Sequence, residues 1–349
     1  MRILAIESSC DETSVAVLSD KRQVLNLEFS LVNSQIKEHS KYGGVVPEVA
    51  ARLHVPNLVK MLAEVNEKYA WKDFDYIAVT AGPGLITSLM IGAESAKIIA
   101  HLLNRPLVIV NHLTAHLNSV LINKPLSAVK FPALGLIVSG GHTELLYLSR
   151  LHEYKVLGKT RDDAVGEAYD KVAKLLGLAY PGGPIVSKRA IGVDKDYYDF
   201  PRPMYDSPNF DFSFSGLKTA ILYKTQEYTK LTPKVVDRIC YAFQEAVLDV
   251  LQHKIKRALK KYPEVKSLIV AGGVSANQRL REVFQEKFGD LELHFPELQF
   301  CGDNAAMIAA DAYLQIKFQN KAQILSGASD LSRLRPNPNW EINKSIWRR

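Results

Sequence analysis

The chain has 349 residues, 47% hydrophobic and 23% charged, proportions that exclude a mostly disordered or fibrous protein and give length for two ordinary domains. The 44 Lys and Arg against 37 Asp and Glu leave a net charge of +7, which suits an anionic partner such as nucleic acid or a nucleotide and equally suits plain solvation. Three scattered cysteines, Cys10, Cys240 and Cys301, fit neither a disulfide framework nor a zinc ribbon.

From the N-terminus, only a few apolar residues precede Asp11 and Glu12, so no signal-peptide core is expected, and no apolar run reaches membrane-spanning length. A reducing cytoplasm is the expected compartment, with no membrane partner. Residues 3–19, ILAIESSCDETSVAVLS, read as strand, polar turn and strand. In 29–62, Gly43, Gly44 and Pro47 break the chain before a helix starting near Glu48. Residues 75–100 give a strand, the glycine turn AGPG and a helix; PLVIVNHLTAH follows as a short strand whose polar end opens a helix at His112 and His116.

The plan then recurs. Residues 134–149, LGLIVSGGHTELLYLS, repeat the first hairpin; 266–288 repeat strand, glycine turn GGVSAN and helix; ELQFCGDNAAM repeats the apolar strand and polar helix opening. Between these lie a helix over 163–178, stopped by Tyr180-Pro181-Gly182-Gly183-Pro184, and a long amphipathic helix over 235–262. The last turns of that helix hold Lys254, Lys256, Arg257, Lys260 and Lys261, which complement the helix dipole or, less simply, meet nucleic acid. Internal duplication predicts two α/β lobes, 1–125 and 126–325, the second with helical insertions, then an extended basic tail over 326–349.

His112 and His116 are four apart at a strand's carboxyl end, so both imidazoles share one helix face and can converge on an ion. The repeat sets Gly302-Asp303-Asn304 at the matching place in the other lobe, so Asp303 is expected to reach across the cleft and complete a two-histidine, one-carboxylate set. HExxH chemistry is absent, because Leu113 stands where the glutamate belongs. The turn Ser139-Gly140-Gly141-His142-Thr143 offers backbone N–H groups to a phosphate, and 271–277 and Gly82-Pro83-Gly84 place glycines between a strand and a helix N-terminus. No P-loop pattern occurs. Asp11 and Glu12 read either as a general base near the metal or as solvated turn residues, and Asp170 either as a site carboxylate or as an exposed helix partner of Lys171.

The motifs IESSCDETSVAV, HSKYGGVVPEVAARLH, TAGPGL, NHLTAH, VSGGHTEL, DDAVGEAYDKVAKLLGL, YPGGP, FSFSGLKTA, AFQEAV, GGVSANQRLR and CGDNAAMIA, in that order from Ile6 to about Ala309, closely resemble the TsaD family, also called YgjD or Gcp. The resemblance implies a duplicated actin-like, Hsp70-like and sugar-kinase-like fold. It implies a tRNA N6-adenosine threonylcarbamoyltransferase that moves the threonylcarbamoyl group of threonylcarbamoyl-AMP to the adenosine beside the anticodon, in tRNAs reading codons that begin with A. By the same resemblance His112, His116 and Asp303 hold one divalent ion, usually iron, with zinc or magnesium as alternatives. Ile137, Val138, Ser139, Gly140, Gly141, Asp170, Gly183 and Asn277 touch threonylcarbamoyl-AMP or ATP, and Asp11 and Glu12 match the family's acidic pair.

Departures are Thr114, where many relatives have Glu, Thr87 where Gly is common, and Ala51 where Ser often precedes Arg52. Ile137 and His142 stand where archaeal relatives carry Tyr and Asn, which marks the chain as bacterial in type. The partners then implied are tRNA and TsaB-like and TsaE-like proteins, with a heterodimer to the TsaB-like paralogue. A metallopeptidase and an ATP-driven kinase or switch are the rival readings. The tail from Ser332 is the part most open to a tRNA-binding role.

Overall fold

A computed structural model describes residues 1–193, 198–318 and 323–346. The chain divides into two compact units, one of Met1–Val129 with Pro296–Arg349, the other Lys130–Phe295.

The first unit opens with β1 (Arg2–Glu7), β2 (Glu12–Lys21) and β3 (Val24–Ser34). The short α1 (Ile36–His39) and long α2 (Pro47–Lys68) precede β4 (Tyr76–Gly82), α3 (Ile86–Leu103), β5 (Leu107–Asn111) and α4 (His112–Asn118). In the second unit the order is β6 (Ala133–Val138), β7 (Thr143–Arg150), β8 (Glu153–Lys159), α5 (Val165–Leu175), α6 (Gly182–Arg189), α7 (Ser215–Gln226) and α8 (Pro233–Lys261). There follow β9 (Ser267–Ala271), α9 (Gln278–Phe288) and β10 (Glu292–His294). The chain then returns to the first unit with α10 (Ala305–Lys317), β11 (Ile324–Leu325) and α11 (Gly327–Leu331).

The duplication is visible in strand order. The first sheet runs β11-β5-β4-β1-β2-β3 and the second β10-β9-β6-β7-β8. In each, the opening hairpin is antiparallel and the two later strands join parallel to its first strand. Residues 3–7 of β1 and all of β6 are buried, as central strands covered on both faces must be. α3 is the one helix among the described residues long and apolar enough to cross a membrane, yet Ala93, Ala96 and Ala100 lie in the first unit's hydrophobic core.

Three expectations are corrected. ELQF is a short 3-10 turn rather than a strand; the strand beside β9 is β10, a little earlier. The helix after Asp303 belongs to the first unit, where α10 packs against β1, β2 and α4 with residues 305–315 buried, so the division falls near 129 and 295 instead of 125 and 325. An alanine-rich helix with no charged face needs burial on all sides, and the first sheet supplies it. Finally, the basic tail is not extended: Leu331, Leu334, Trp340 and Ile346 join the first unit's core. Residues 347–349 of that tail lie outside the described residues.

Candidate metal centre and nucleotide cavity

α4 starts where β5 ends because Asn111, extended at φ −83° and ψ 124°, accepts with its side chain from the N–H groups of Leu113 and Thr114. That cap begins the helix at His112, so both imidazoles project from its first two turns. Asp303 is set by a second asparagine: Asn304 accepts from Met307 N–H to cap α10 and donates to the carbonyl of Gly302 at 2.7 Å. His112 Nε2 and His116 Nε2 lie 3.3 and 3.2 Å from the same oxygen, Asp303 Oδ1. Asp303 thus arrives from within the same unit as the histidines, which corrects the expectation that it comes from the other lobe.

The residues fit a divalent ion. Ligand atoms about 2.1 Å from an ion stand about 3.0–3.4 Å apart, and the two nitrogen–oxygen separations match. His116 is fully buried: among the described residues its Nδ1 has no hydrogen-bond partner and its Nε2 has the Asp303 carboxylate beside it, an expensive state for an imidazole unless something else binds it. Electrostatics agree. Burial opposes a charge on His112, yet Asp303 and Glu7 outweigh it and hold its pKa well above the usual imidazole range. Burial pulls His116 down, and both histidines hold Asp303 well below the usual carboxylate range against its own burial.

Glu7 is the site residue that sequence reading missed. Its side chain is fully buried, takes hydrogen bonds from Ser9 N–H and Thr80 Oγ1, and stands 3.3 Å from His112 Nδ1. That is the carboxylate–histidine arrangement which fixes a ligand's tautomer and orientation. A charged residue closing an otherwise apolar strand was the available signal. Thr114 folds its hydroxyl back to the Asn111 carbonyl.

Asp11 is buried and Glu12 half-buried. Burial, then Asp11 and Asp303, push the Glu12 carboxyl well above its ordinary range, and Ser34 Oγ donates to it at 2.9 Å. The turn that holds them rests on a buried relay. His54 Nε2 donates to the Cys10 carbonyl at 2.9 Å and Thr13 Oγ1 meets its Nδ1 at 2.8 Å; Gln35 N–H donates to the Asp11 carbonyl.

In the second unit a cavity of about 420 Å³ is lined by Gly140, Asp170, Gly183 and Asn277, with Tyr169 and Ser187 among its other walls. A Cβ on Gly140, Gly183 or Gly273 would meet nothing within 4 Å, while one on Gly182 would fall 2.7 Å from the Tyr169 carbonyl. Asp170 Oδ1 accepts from Gly182 N–H at 2.7 Å, and Asn277 donates to Ser187 Oγ and Gln244 Oε1 while capping α9. Of the expected contacts, Ile137, Val138, Ser139 and Gly141 do not line this cavity; the first two are β6 residues with fully buried side chains. The turn Gly82-Pro83-Gly84 is no open cradle either: Cβ atoms there would strike the Asn337 and Ser9 carbonyls.

A family model described as "TsaD: tRNA N6-adenosine threonylcarbamoyltransferase" matches residues 26–310. A tRNA N6-adenosine threonylcarbamoyltransferase of Kosmotoga olearia is 48% identical over 322 residues, covering 91% of this chain and 94% of that one. The enzyme so named in Streptococcus thermophilus is 46% identical over 317 residues, covering 90% and 91%. Among solved structures, the activator of the 2-hydroxyisocaproyl-CoA dehydratase from Clostridium difficile with bound ADPNP superposes with a TM-score of 0.53 at 13% identity, covering 92% of this chain and 97% of that one. That likeness shows the fold alone, a duplicated actin-like α/β architecture.

Proposed function

The chain belongs to the TsaD family of tRNA N6-adenosine threonylcarbamoyltransferases, and from that premise we propose how its residues divide the reaction. It is a transferase that modifies tRNA. Its donor is threonylcarbamoyl-AMP, its acceptor the adenosine beside the anticodon in tRNAs that read codons beginning with A, and AMP leaves. The observation that carries the reading is one carboxylate oxygen, Asp303 Oδ1, set 3.2–3.3 Å from two imidazole nitrogens, with Glu7 behind the first.

His112, His116 and Asp303 hold a divalent ion, and a set of two histidines and one carboxylate with open positions favours iron(II) over zinc or magnesium. When bound, such an ion supplies Lewis-acid polarisation and a template for the acyl group. The nucleotide half of the donor, or ATP, sits in the cavity of the second unit. There the first turns of α6 and α9 turn their positive ends to phosphate, and Asp170 stands ready to accept from ribose hydroxyls. The acceptor amine forms its bond to the carbamoyl carbon as the bond from that carbon to the phosphate oxygen breaks, and AMP departs with the electron pair. The amine is an aromatic one and barely basic, so its proton must leave as it attacks. Glu12, with Asp11 beside it, takes that proton; burial and its acidic neighbours hold its carboxyl above the ordinary range, which makes it a stronger base than a solvated carboxylate. Because the mixed anhydride is already activated, positioning supplies most of the acceleration.

The reaction places the protein in the cytoplasm with its tRNA. A TsaB-like partner forms the heterodimer and a TsaE-like protein joins it. Val55 and Val59 of α2 and Met90, Ile98 and Leu102 of α3 are exposed apolar side chains on two helices that pack together, which supports that pairing. The test is single-turnover transfer from threonylcarbamoyl-AMP to purified tRNA. Asp303→Ala is expected to lose both bound ion and transfer, and Glu12→Gln to lose transfer while keeping the ion. Normal transfer by Asp303→Ala would remove the reading.

A further inference from the structure

Residues 332–346 have the composition of a basic arm and the contacts of a packed segment. Leu334, Trp340, Ile342 and Ile346 are buried, and the cations are engaged nearby. Arg335 donates to the carbonyls of Ser332 and Leu334, Arg333 stands 3.5 Å from Asp330, and Lys344 is 2.8 Å from Glu341.

The path of the segment crosses the carboxyl ends of β4 and β5. Asn337 N–H donates to the Ala81 carbonyl at 2.8 Å, and Gly84 N–H donates to the Pro338 carbonyl at 3.2 Å. Trp340 Nε1 donates to the Lys344 carbonyl at 2.7 Å and closes the turn. The approach is so close that Gly82, at φ 144°, has no space for a side chain: a Cβ there would lie 1.9 Å from the Asn337 carbonyl oxygen. Glycine alone accepts both that backbone angle and that contact.

Asn111 joins this segment to the site. Its Oδ1 accepts from the first N–H groups of α4, and its Nδ2 donates to the Trp340 carbonyl at 3.0 Å. The side chain is buried, so water cannot replace the Trp340 carbonyl, and losing it leaves a donor unsatisfied. One amide therefore ties the C-terminal segment to the helix that carries His112 and His116.

We propose that residues 336–344 form a strap, centred on Trp340, that positions α4 so that both imidazoles face Asp303, and that the strap thereby sets the affinity of the metal centre. Trp340 and Asn111 are positioning residues, since neither touches a reacting atom. The proposal rests on the reading of His112, His116 and Asp303 as ligands. Partners that orient a ligand from behind typically govern ten- to hundredfold in metal affinity.

Full-length Trp340→Ala and Trp340→Phe are titrated with cobalt(II) alone, followed by the visible absorption of the bound ion, and separately with unmodified tRNA. Trp340→Ala is expected to weaken cobalt(II) binding by about tenfold or more, Trp340→Phe to restore most of it, and tRNA affinity to hold in both. A Trp340→Ala protein that melts earlier yet binds cobalt(II) as the wild type does would reduce the strap to core packing and overturn the proposal. So would lost tRNA affinity with metal affinity intact, which makes the segment a tRNA arm. Should Trp340→Ala fail to fold, Asn111→Asp keeps the helix cap and removes the donor to Trp340; it is expected to weaken cobalt(II) binding, and unchanged binding overturns the proposal. His116→Ala separates the two readings. Wild-type cobalt(II) affinity in that variant defeats the ligand assignment itself, whereas its loss beside an unaffected Trp340→Ala defeats the strap alone.

Discussion

Glu7 carries the argument at the scale of single residues. Burial alone would raise its carboxyl, but His112 and the Ser9 hydrogen bond pull it below its ordinary value, so a negative charge sits behind one of the two imidazoles proposed as metal ligands. Glu7→Gln keeps the shape and removes the charge. It should weaken binding of a divalent ion about ten- to hundredfold, measured by competition with a chelating dye, while the melting temperature moves little; unchanged affinity would make Glu7 a structural acid only. The histidine pair and Asp303 are legible in the sequence because four-residue spacing and a repeated polar helix opening are local patterns. Glu7 is not, since a glutamate followed by SSCDE reads as the first residue of a solvated turn, and only the pairing of β1 with β4 brings Thr80 and His112 around it. The unit to which Asp303 belongs was hidden for a like reason: the pattern records the repeat and not where the chain crosses back.

At the scale of elements, asparagine caps set the geometry. Asn111, Asn277 and Asn304 each end a strand or loop and cap the helix that follows. Asn277 does more, because its Nδ2 also serves Ser187 and the buried Gln244. Asn277→Ala should cost about 1 kcal/mol for the cap and about 1–3 kcal/mol for the acceptor left unpaired, read from urea unfolding. Asn277→Asp keeps the cap and should cost only the second part; equal losses in the two variants would show that the cap contributes nothing.

The long helix α8 offers a test in pH. Lys254, expected among the last-turn cations that complement the helix dipole, is buried and donates to Ser207 Oγ and the Asn209 carbonyl. Burial, then Arg257, pull its pKa down to about 8, with Asp211 and Asp206 opposing. From about pH 8 to its ordinary 10.5 the unfolded chain holds a proton that the folded chain has released, so unfolding takes up a proton and this lysine's contribution to stability rises with pH. Below pH 8 both states are protonated and the burial penalty is present in full. Denaturant midpoints of wild type minus Lys254→Met should therefore climb between pH 8 and 10. A flat difference would mean that Lys254 keeps its ordinary pKa. The helix itself was plain from its apolar period, but a stem that threads into the core looks, in sequence, like any surface lysine.

The whole molecule is a duplication whose copies have diverged in what fills the same turn. Strand order repeats, and each copy has a glycine turn between a strand parallel to the hairpin and the helix after it. In the second unit that turn, Gly272 to Asn277, borders the cavity; in the first, Gly82 to Gly84 is packed under Asn337 and Pro338. On the proposed reading the described residues therefore offer a nucleotide one cradle, although the fold provides two equivalent turns, and the carboxyl ends of the first unit's strands carry the proposed metal ligands. Calorimetric titration with AMP should yield one site per chain. Hydrogen exchange should slow on AMP addition around Gly140, along α5 and α6 and at the start of α9, and should not slow at Gly82–Gly84. Cobalt(II) should protect α4 and the first turn of α10 instead. Two AMP sites, or AMP protection over β4 and α3, would mean that the strap leaves the first turn open and that the two copies still share one function.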